Sequence, residues 1–380
     1  MMHRFVRFGW SLPTALAAGL VMAACGGAAT APAGSSSAIS AASPAASAAP
    51  TDFQSLVQAA NKEGKVTVFG TYPQTQTVDK VAAAMNQRFN TNIQIEAVPM
   101  GAPDARNRIL GAVDTRTGDG DTVPWFSSEM FPEAVQKNAI AKVDWPGIFS
   151  KEMPGVTDAY NREFADYRGY ALVFYDSSYA FMYNTQQMKL EDVPKHWSDL
   201  ADPKWRGKFA ADPSGFPFNY LVLAPDWGED KTLALVKGIA ANKPLLKTSS
   251  SELTASVVRG EVEFAIAGAT SAITEKMKGS PVDVAIPDYL PNDSRGMIIS
   301  TFAPHPNATR LYTAWAVSDG FPLMQQLYGV DRLGTPTSPM SAIIKQQNPD
   351  TKVVGVQSAA DVKRSADFIK VVADTMIGVN

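Results

Sequence analysis

The chain has 380 residues, with 34 Lys and Arg against 37 Asp and Glu, a formal net charge of −3 and 45% hydrophobic residues. This near balance excludes the strongly basic surface that is typical of nucleic-acid-binding proteins. The sequence contains one cysteine, which excludes a disulfide within the chain, so the fold must rely on a hydrophobic core that a chain of this length can build.

The N-terminus has the charge and hydrophobicity pattern of a secretory signal peptide. Arg4 and Arg7 precede an uncharged run, Phe8–Ala24, which ends in two alanines directly before Cys25. The run is shorter than the roughly 20 apolar residues that span a bilayer comfortably, although an uncleaved membrane anchor remains the alternative. The ending Ala-Ala-Cys resembles a bacterial lipoprotein signal, with Met22 where Leu is usual. The resemblance implies that residues 1–25 are a lipoprotein signal peptide and that Cys25 is lipidated; a lone buried cysteine is the alternative.

Residues 26–50 have the composition of a flexible tether. All of them except Ile39 are Ala, Gly, Ser, Thr or Pro, and none is charged. Such a segment cannot bury enough apolar surface to offset the entropy lost on ordering. We predict a disordered tether with an end-to-end distance on the order of 25–30 Å.

The folded part begins with alternating helix and strand patterns. Thr51 and Gln54 form a candidate capping box, and Gly64 is a candidate helix end. The predicted elements are a helix over 53–63, a strand at 65–69, a helix over 78–89, a strand at 92–98, a helix over 103–115, a strand at 121–126 and a helix over 129–137. This alternation favours an α/β domain with a largely parallel sheet.

The rest of the chain contains a second α/β unit and a helical end. The predicted strands are 170–175, 179–183, 208–211, 262–267, 282–286 and 297–302. The predicted helices lie between 219 and 242 and at 253–259, 271–278, 308–318, 321–328 and 371–376. About 330 residues after the tether predict two domains rather than one.

The segment Glu191–Gly215, EDVPKHWSDLADPKWRGKFAADPSG, resembles the bacterial extracellular solute-binding proteins that serve ABC importers. It is most similar to the branch that binds ferric iron, thiamine, phosphonates and polyamines. Phe181–Thr185, Gly260–Val262 and His305–Ala308 add weaker matches in the same order. Trp197 and Trp205 offer large apolar surfaces, which favours a packing role for both over direct contact with a ligand.

The resemblance implies the type 2 periplasmic-binding fold: two α/β lobes joined by crossing strands, with the ligand in the cleft between them. The first lobe would comprise residues 51–178 plus 290–380, and the second residues 179–289. Hinge closure would trap the ligand. The implied partners are a small-molecule ligand and an ABC permease, for an otherwise monomeric protein without a cofactor.

Cleft-facing loops can also be identified without the family, because ligands of α/β sheets bind beyond the carboxyl ends of strands. Small hydroxyl residues at helix starts there can donate to anionic groups, although capping their own helices is an equal alternative. Tyr72, Phe216 or Tyr289 could form an apolar or cation–π wall. The candidate ligand-binding residues are Thr71, Tyr72, Ser127, Ser128, Tyr175, Asp212, Ser214, Gly268, Thr270, Ser271 and Tyr289.

The nature of the ligand is narrowed by Gly268–Ser271. Iron-binding members of the branch hold paired tyrosines at this place, and this chain has Gly, Ala, Thr and Ser. We therefore expect a small organic ligand, such as a phosphonate, an amine or a thiamine-like cation. A ferric site built from other tyrosines, among them Tyr175 and Tyr179, is the alternative. His196 and His305 stand alone, so no soft-metal site is expected.

A secreted hydrolase is the competing class of function. The sequence has no G-x-S-x-G, Ser-x-x-Lys, H-E-x-x-H or Walker motif. We predict a non-enzymatic, exported substrate-binding protein of an ABC importer, anchored by lipid to the outer face of the cytoplasmic membrane. A lipoprotein that senses a ligand and reports to a membrane receptor remains a second alternative with the same fold.

Overall fold

The computed structural model describes residues 50–378, so the predicted signal peptide, Cys25 and almost all of the predicted tether lie outside the described residues. The α-helices are α1 (Phe53–Glu63), α2 (Val78–Phe89), α3 (Ala102–Thr115), α4 (Phe131–Gln136), α5 (Trp145–Phe149), α6 (Pro154–Asn161), α7 (Phe218–Leu221), α8 (Gly228–Ala241), α9 (Ser250–Val258), α10 (Ala269–Met277), α11 (Pro306–Val317), α12 (Phe321–Tyr328), α13 (Pro339–Gln347) and α14 (Ala359–Gly378). The strands are β1 (Lys65–Phe69), β2 (Gln94–Val98), β3 (Thr122–Phe126), β4 (Ala171–Asn184), β5 (Phe209–Ala211), β6 (Leu245–Leu246), β7 (Phe264–Gly268), β8 (Val282–Ala285), β9 (Tyr289–Ile299) and β10 (Lys352–Val354).

The strands form one mixed sheet in the order β2-β1-β3-β9-β4-β7-β5-β6, with β10 beside β9 and β8 beside β4. At one end β1 is parallel to β2 and β3, and at the other end β5 is parallel to β6 and β7. Between them β9 and β4 are antiparallel to each other, and each is antiparallel to its other neighbour in the order. Two parallel α/β halves are therefore joined by two long central strands.

Each half of the sheet has its own hydrophobic core. The first half packs Val66, Met85 and Leu311 into a fully buried cluster, and the second half does the same with Trp197 and Phe209. The predicted division into lobes at residues 178 and 290 stays a prediction. Helix α14 packs on α7 and α8 of the second half, although its sequence lies in the predicted first lobe.

Most predicted elements are found within a few residues, and the differences have local causes. Asp52 rather than Thr51 caps α1, since its carboxylate accepts a 2.9 Å hydrogen bond from the Ser55 amide. Gly64 ends that helix as predicted, with a φ of +68° that favours glycine. The two strands predicted over 170–183 are one continuous strand, β4, because the intervening polar residues alternate across it.

Larger differences occur toward the C-terminus. Strand β9 begins at Tyr289 rather than at 297, and α14 begins at Ala359 rather than at 371. The predicted packing role of Trp197 is confirmed, because it is fully buried and its Nε1 donates a 2.8 Å hydrogen bond to the Tyr289 carbonyl. Among residues 50–378, none of the helices combines the length and hydrophobicity that a membrane-spanning segment needs.

Candidate functional site

The two central strands place a set of polar side chains on one face of the sheet. In the antiparallel pairing of β4 and β9, Tyr175 lies opposite Arg295 and Ser177 lies opposite Asp293. Since side chains alternate along a strand, these four and Tyr179 share one side, which we call the front face. The residues between them point to the opposite side, which we call the back face.

The back face is a closed hydrogen-bond network. The carboxylate of Asp176 accepts from Ser294 Oγ at 2.7 Å, from Asn292 Nδ2 at 3.1 Å and from the Leu333 amide at 2.8 Å. Arg162 Nη1 lies 3.5 Å from the same carboxylate. Protein groups therefore satisfy the buried charge of Asp176 and tie the two central strands to the chain that follows α12.

Asp293 on the front face is buried but less completely paired. Ser128, from the turn after β3, donates a 2.8 Å hydrogen bond to Oδ1, and Arg295 Nε lies 2.9 Å from Oδ2. Burial raises the pKa of Asp293 to about 6, with the positive charge of Arg295 opposing the shift. The predicted site residue Ser128 is thus held at the central strands.

Arg295 lies on the front face with its side chain mostly buried. Its side chain is 14% exposed, and Nε is the nitrogen that contacts Asp293. Within residues 50–378, Nη1 and Nη2 have no hydrogen-bond acceptor. Burial lowers the pKa of Arg295, but the neighbouring Asp293 carboxylate and other acidic groups more than offset this, so the pKa lies above its usual value. The guanidinium is therefore a fixed positive charge.

An aromatic wall from the first half adjoins the front face. The ring of Tyr72 packs edge-on against Tyr175, with centroids 6.2 Å apart, and lies 5.1 Å from the ring of Tyr328. The loop that carries Tyr72 depends on Gly70, whose φ is +143° and where a Cβ would lie 2.2 Å from Trp125 Nε1. Close approach to Trp125 therefore fixes the path of the chain into Tyr72.

Residues of the second half complete a cavity of about 510 Å³ beside this wall. Gly268 pairs with Tyr179 at the end of β7, and α10 begins at the next residue. The cavity is lined from the first half by Tyr72, Gln74, Leu327 and Tyr328, and from the second half by Thr270, Ser271, Thr274 and residues of α9. The structure therefore brings together predicted residues from both halves of the sheet.

A second aromatic group covers the other end of the front face. The rings of Tyr179 and Phe216 are nearly parallel, 14° apart, at a centroid distance of 6.4 Å. Tyr220 donates a 3.3 Å hydrogen bond to Glu129 Oε2, and Ser127 donates to Oε1 at 2.8 Å. Ser127, a predicted ligand contact, thus orients Glu129. Burial raises the pKa of Tyr179 and of Tyr220.

Three other predicted residues have partners of their own. The Asp212 carboxylate accepts a 2.7 Å hydrogen bond from the Ser214 amide, which forms a turn beside Phe216. Tyr289 donates to Asp226 at 2.7 Å, and Lys352 Nζ lies 3.1 Å from its hydroxyl. Tyr289 is six residues before Arg295 in β9, a separation of about 20 Å along a strand. Tyr289 therefore lies apart from the front face.

Arg295, Asp293 and Glu129 were not predicted as site residues from the sequence. A usable signal was present, because Asp293 and Arg295 stand two residues apart directly before the apolar run Met297–Ile299. Charged residues at every second position beside an apolar run indicate a strand with one polar face. Within residues 50–378, no group of three or more His, Cys, Asp or Glu side chains is arranged to hold a metal ion.

Residues 80–342 match the family model of the bacterial extracellular solute-binding proteins. An uncharacterized protein of Haemophilus influenzae is 26% identical over 203 residues, which are 51% of this chain and 58% of that protein. The Fe(3+)-binding periplasmic protein of Serratia marcescens is 36% identical over 91 residues, 23% of this chain and 27% of that protein. The chain thus spans between about a quarter and three fifths of these relatives.

Solved structures share the fold over most of the chain. The periplasmic binding protein P5PA has a TM-score of 0.63 at 18% identity, covering 83% of this chain and all of that one. Iron-bound HitA from Pseudomonas aeruginosa has a TM-score of 0.64 at 18% identity, with 82% and 99% covered. AfuA from Actinobacillus pleuropneumoniae, with fructose-6-phosphate bound, has a TM-score of 0.62 at 18% identity, with 83% and 98% covered. The predicted two-lobe α/β fold is confirmed.

Proposed function

The chain belongs to the bacterial extracellular solute-binding proteins, which are not enzymes, and we propose that it is the substrate-binding protein of an ABC importer. It would capture a small organic solute between the two halves of the sheet and deliver it to a permease. The observation that carries this proposal is the cavity of about 510 Å³ that both halves line, beside the polar front face of β4 and β9. Concave sites between domains are the usual place for small ligands.

Closure about the central strands supplies the mechanism. The chain passes between the halves through β4 and β9, which the back-face network around Asp176 holds together. Bending of these strands would move Tyr72 and Tyr328 relative to Thr270 and Ser271 across the cavity. A ligand that contacts both sides stabilises the closed form by its differential affinity for that form. The permease would then recognise the closed protein.

An organic solute fits the site better than ferric iron. The Serratia marcescens relative binds Fe(3+) and the HitA structure contains iron, whereas AfuA holds a sugar phosphate. Ferric iron prefers anionic oxygen ligands, and the segment after β7, where iron-binding members of the branch hold paired tyrosines, has none. The Gly268–Ser271 segment supplies hydroxyl groups instead.

For residues 1–50 we propose roles in export and in anchoring the protein to the membrane. We infer that residues 1–25 direct export, that Cys25 carries the lipid and that residues 26–50 let the folded part reach the permease. Deleting residues 26–50 should leave solute affinity unchanged and reduce uptake by cells. A loss of affinity in the purified deletion variant would contradict the tether. Uptake that depends on this protein would also favour an importer over a sensor.

Native mass spectrometry tests the capture of a solute. Residues 51–380 are purified from cells, and their mass is compared before and after denaturation. A mass excess that matches a small organic molecule would support the proposal and identify the solute. An excess that matches one iron atom would overturn the organic ligand and favour a tyrosine site. A protein without any excess would then be screened with cell extracts, and failure to bind in that screen would contradict solute capture.

A further inference from the structure

We propose that the solute carries an oxyanion group, a carboxylate, phosphate or phosphonate, that accepts hydrogen bonds from Nη1 and Nη2 of Arg295. The inference rests on the proposed function and adds two things: the charge of the ligand and the residue that selects it. Arg295 is at the front face, opposite Tyr175, whose ring adjoins the wall of the cavity through Tyr72.

Asp293 and Ser128 help to fix the position of the Arg295 guanidinium. Ser128 donates to Oδ1 of Asp293, and Oδ2 of the same carboxylate lies 2.9 Å from Arg295 Nε. Asp293 is 1% exposed, so neither group of this pair can move freely. The Asp293 carboxylate contacts the guanidinium at Nε, and no hydrogen bond to residues 50–378 uses Nη1 or Nη2, which leaves these two donors for a ligand. This is the planar fork that pairs with two oxygens of a carboxylate or phosphate.

Two donor atoms of Arg295 that the protein does not use indicate a binding role for its guanidinium. Polar groups in proteins are normally paired with protein groups or ordered water, so a charged donor that the protein leaves unused is available to a ligand. Nη1 and Nη2 of Arg295 have no acceptor within residues 50–378, whereas the Asp176 carboxylate on the back face is fully paired. An oxyanion would complete the hydrogen bonds of Arg295.

The neighbouring acidic groups do not cancel the charge of Arg295. Glu129 is already hydrogen-bonded at both oxygens, by Ser127 and Tyr220. Burial raises the pKa of Glu163 to about 8, so this carboxyl is mostly neutral at pH 7. Asp293 is the one carboxylate in direct contact with Arg295 among the described residues. Because that contact is made through Nε, the two Nη donors remain for an anion.

The test separates solutes by charge. A bacterial cell extract is divided on an anion-exchange column, and each fraction is added to residues 51–380 while the thermal unfolding midpoint is measured. The proposal expects a rise in the midpoint with the retained, anionic fraction. Stabilisation by the unretained fraction alone would overturn the inference but keep the proposed function. If neither fraction stabilises the protein, both the inference and solute capture are contradicted.

Variants then assign the effect to Arg295. With a purified compound from the active fraction, Arg295→Gln should weaken binding about 100-fold, since a charge-assisted pair is lost. Arg295→Lys keeps the charge without the fork and should lose about 10-fold. Arg206→Gln, at an exposed arginine that donates to the Ala241 carbonyl, is the matched control and should bind normally. Unchanged affinity in a folded Arg295→Gln protein, or in Arg295→Lys if the former does not fold, would overturn the assignment.

Discussion

The two faces of the central strands use the same backbone for different purposes. Each face holds one buried aspartate, Asp176 on the back and Asp293 on the front, at 4% and 1% exposure. Asp176 accepts hydrogen bonds from Asn292, Ser294 and the Leu333 amide. Asp293 accepts one, from Ser128, and its Oδ2 makes no hydrogen bond although Arg295 Nε lies nearby.

The difference shows where stability and function reside. A carboxylate whose partners all come from the protein contributes to one fixed arrangement of the strands. A charged pair that leaves donor groups unused keeps those donors available for a ligand. The back face is therefore expected to control folding, and the front face to control binding. Substitutions on each face can separate the two roles.

The largest expected effect is on the back face. Asp176→Ala leaves Asn292, Ser294 and the Leu333 amide without their shared acceptor in a buried position. We expect a loss of about 4 kcal/mol in the free energy of unfolding, typical of a broken buried network. Urea denaturation measures it. Asp367→Ala, at an exposed residue of α14 that contacts Lys363, is the control and should change stability by less than about 0.5 kcal/mol.

A loss below about 1 kcal/mol for Asp176→Ala would mean that the back-face network does not hold the two strands together. It would contradict a special role of the back face in folding.

The sequence predicted the parallel halves well because their strands and helices are strongly periodic. Val78, Val81 and Met85 mark α2, and the strand at 65–69 was found at its observed bounds. It also predicted Tyr72, Ser128, Thr270 and Ser271 as loops after strands, and the structure places these at the cavity or the front face. The rule that ligands lie beyond the carboxyl ends of strands predicted their location, and their contact with a ligand stays a prediction.

The central strands were harder to predict because both faces are partly polar. The start of β9, Tyr289–Gly296, contains Pro291, Asn292, Asp293 and Ser294, a composition that is typical of turns. Its strand conformation depends on pairing with β4, a contact between residues more than 100 positions apart. Arg295 was missed for this reason. Similarly, α14 has few large apolar residues before Phe368, and its contacts with α7 and α8 define its length.

The next effect concerns Glu163, whose Oε2 has no hydrogen-bond partner in the described part of the chain. Burial raises the pKa of Glu163 from 4.5 to about 8, so the folded protein retains a proton that the unfolded chain releases. Stability from this group is present at low pH and is lost as pH rises through 8. Between pH 6 and pH 9 the wild type should lose about 3 kcal/mol from this source.

Glu163→Gln removes that titration and should make the protein more stable than the wild type at pH 9 but not at pH 6. Urea denaturation at both pH values measures the difference. Glu191→Gln, at a side chain that is 74% exposed, is the matched control and should follow the wild type. Equal pH dependence in the wild type and Glu163→Gln would contradict a protonated Glu163 beside the front face.

A smaller effect is expected at the aromatic wall. Tyr72→Leu removes the ring contacts with Tyr175 and Tyr328 and one side of the cavity. An aromatic contact contributes about 1 kcal/mol, so solute affinity should fall about 5-fold while the protein remains folded. Titration calorimetry with the solute identified from cells measures it. Tyr170→Leu, at a ring that contacts Lys142 away from the cavity, should not change affinity.

The smallest effect is expected from the two histidines of the folded part. His305 is the residue directly before α11 and its Nδ1 lies 3.0 Å from Asp121, while His196 lies 3.3 Å from Asp288 at the surface. Neither lines the cavity or belongs to the front face. The double variant His196→Ala/His305→Ala should lose about 1 kcal/mol of stability through the Asp121 contact and keep the solute affinity within about 2-fold. A large loss of affinity at unchanged stability would place a histidine in the site, and the front face would then not be the principal determinant of binding.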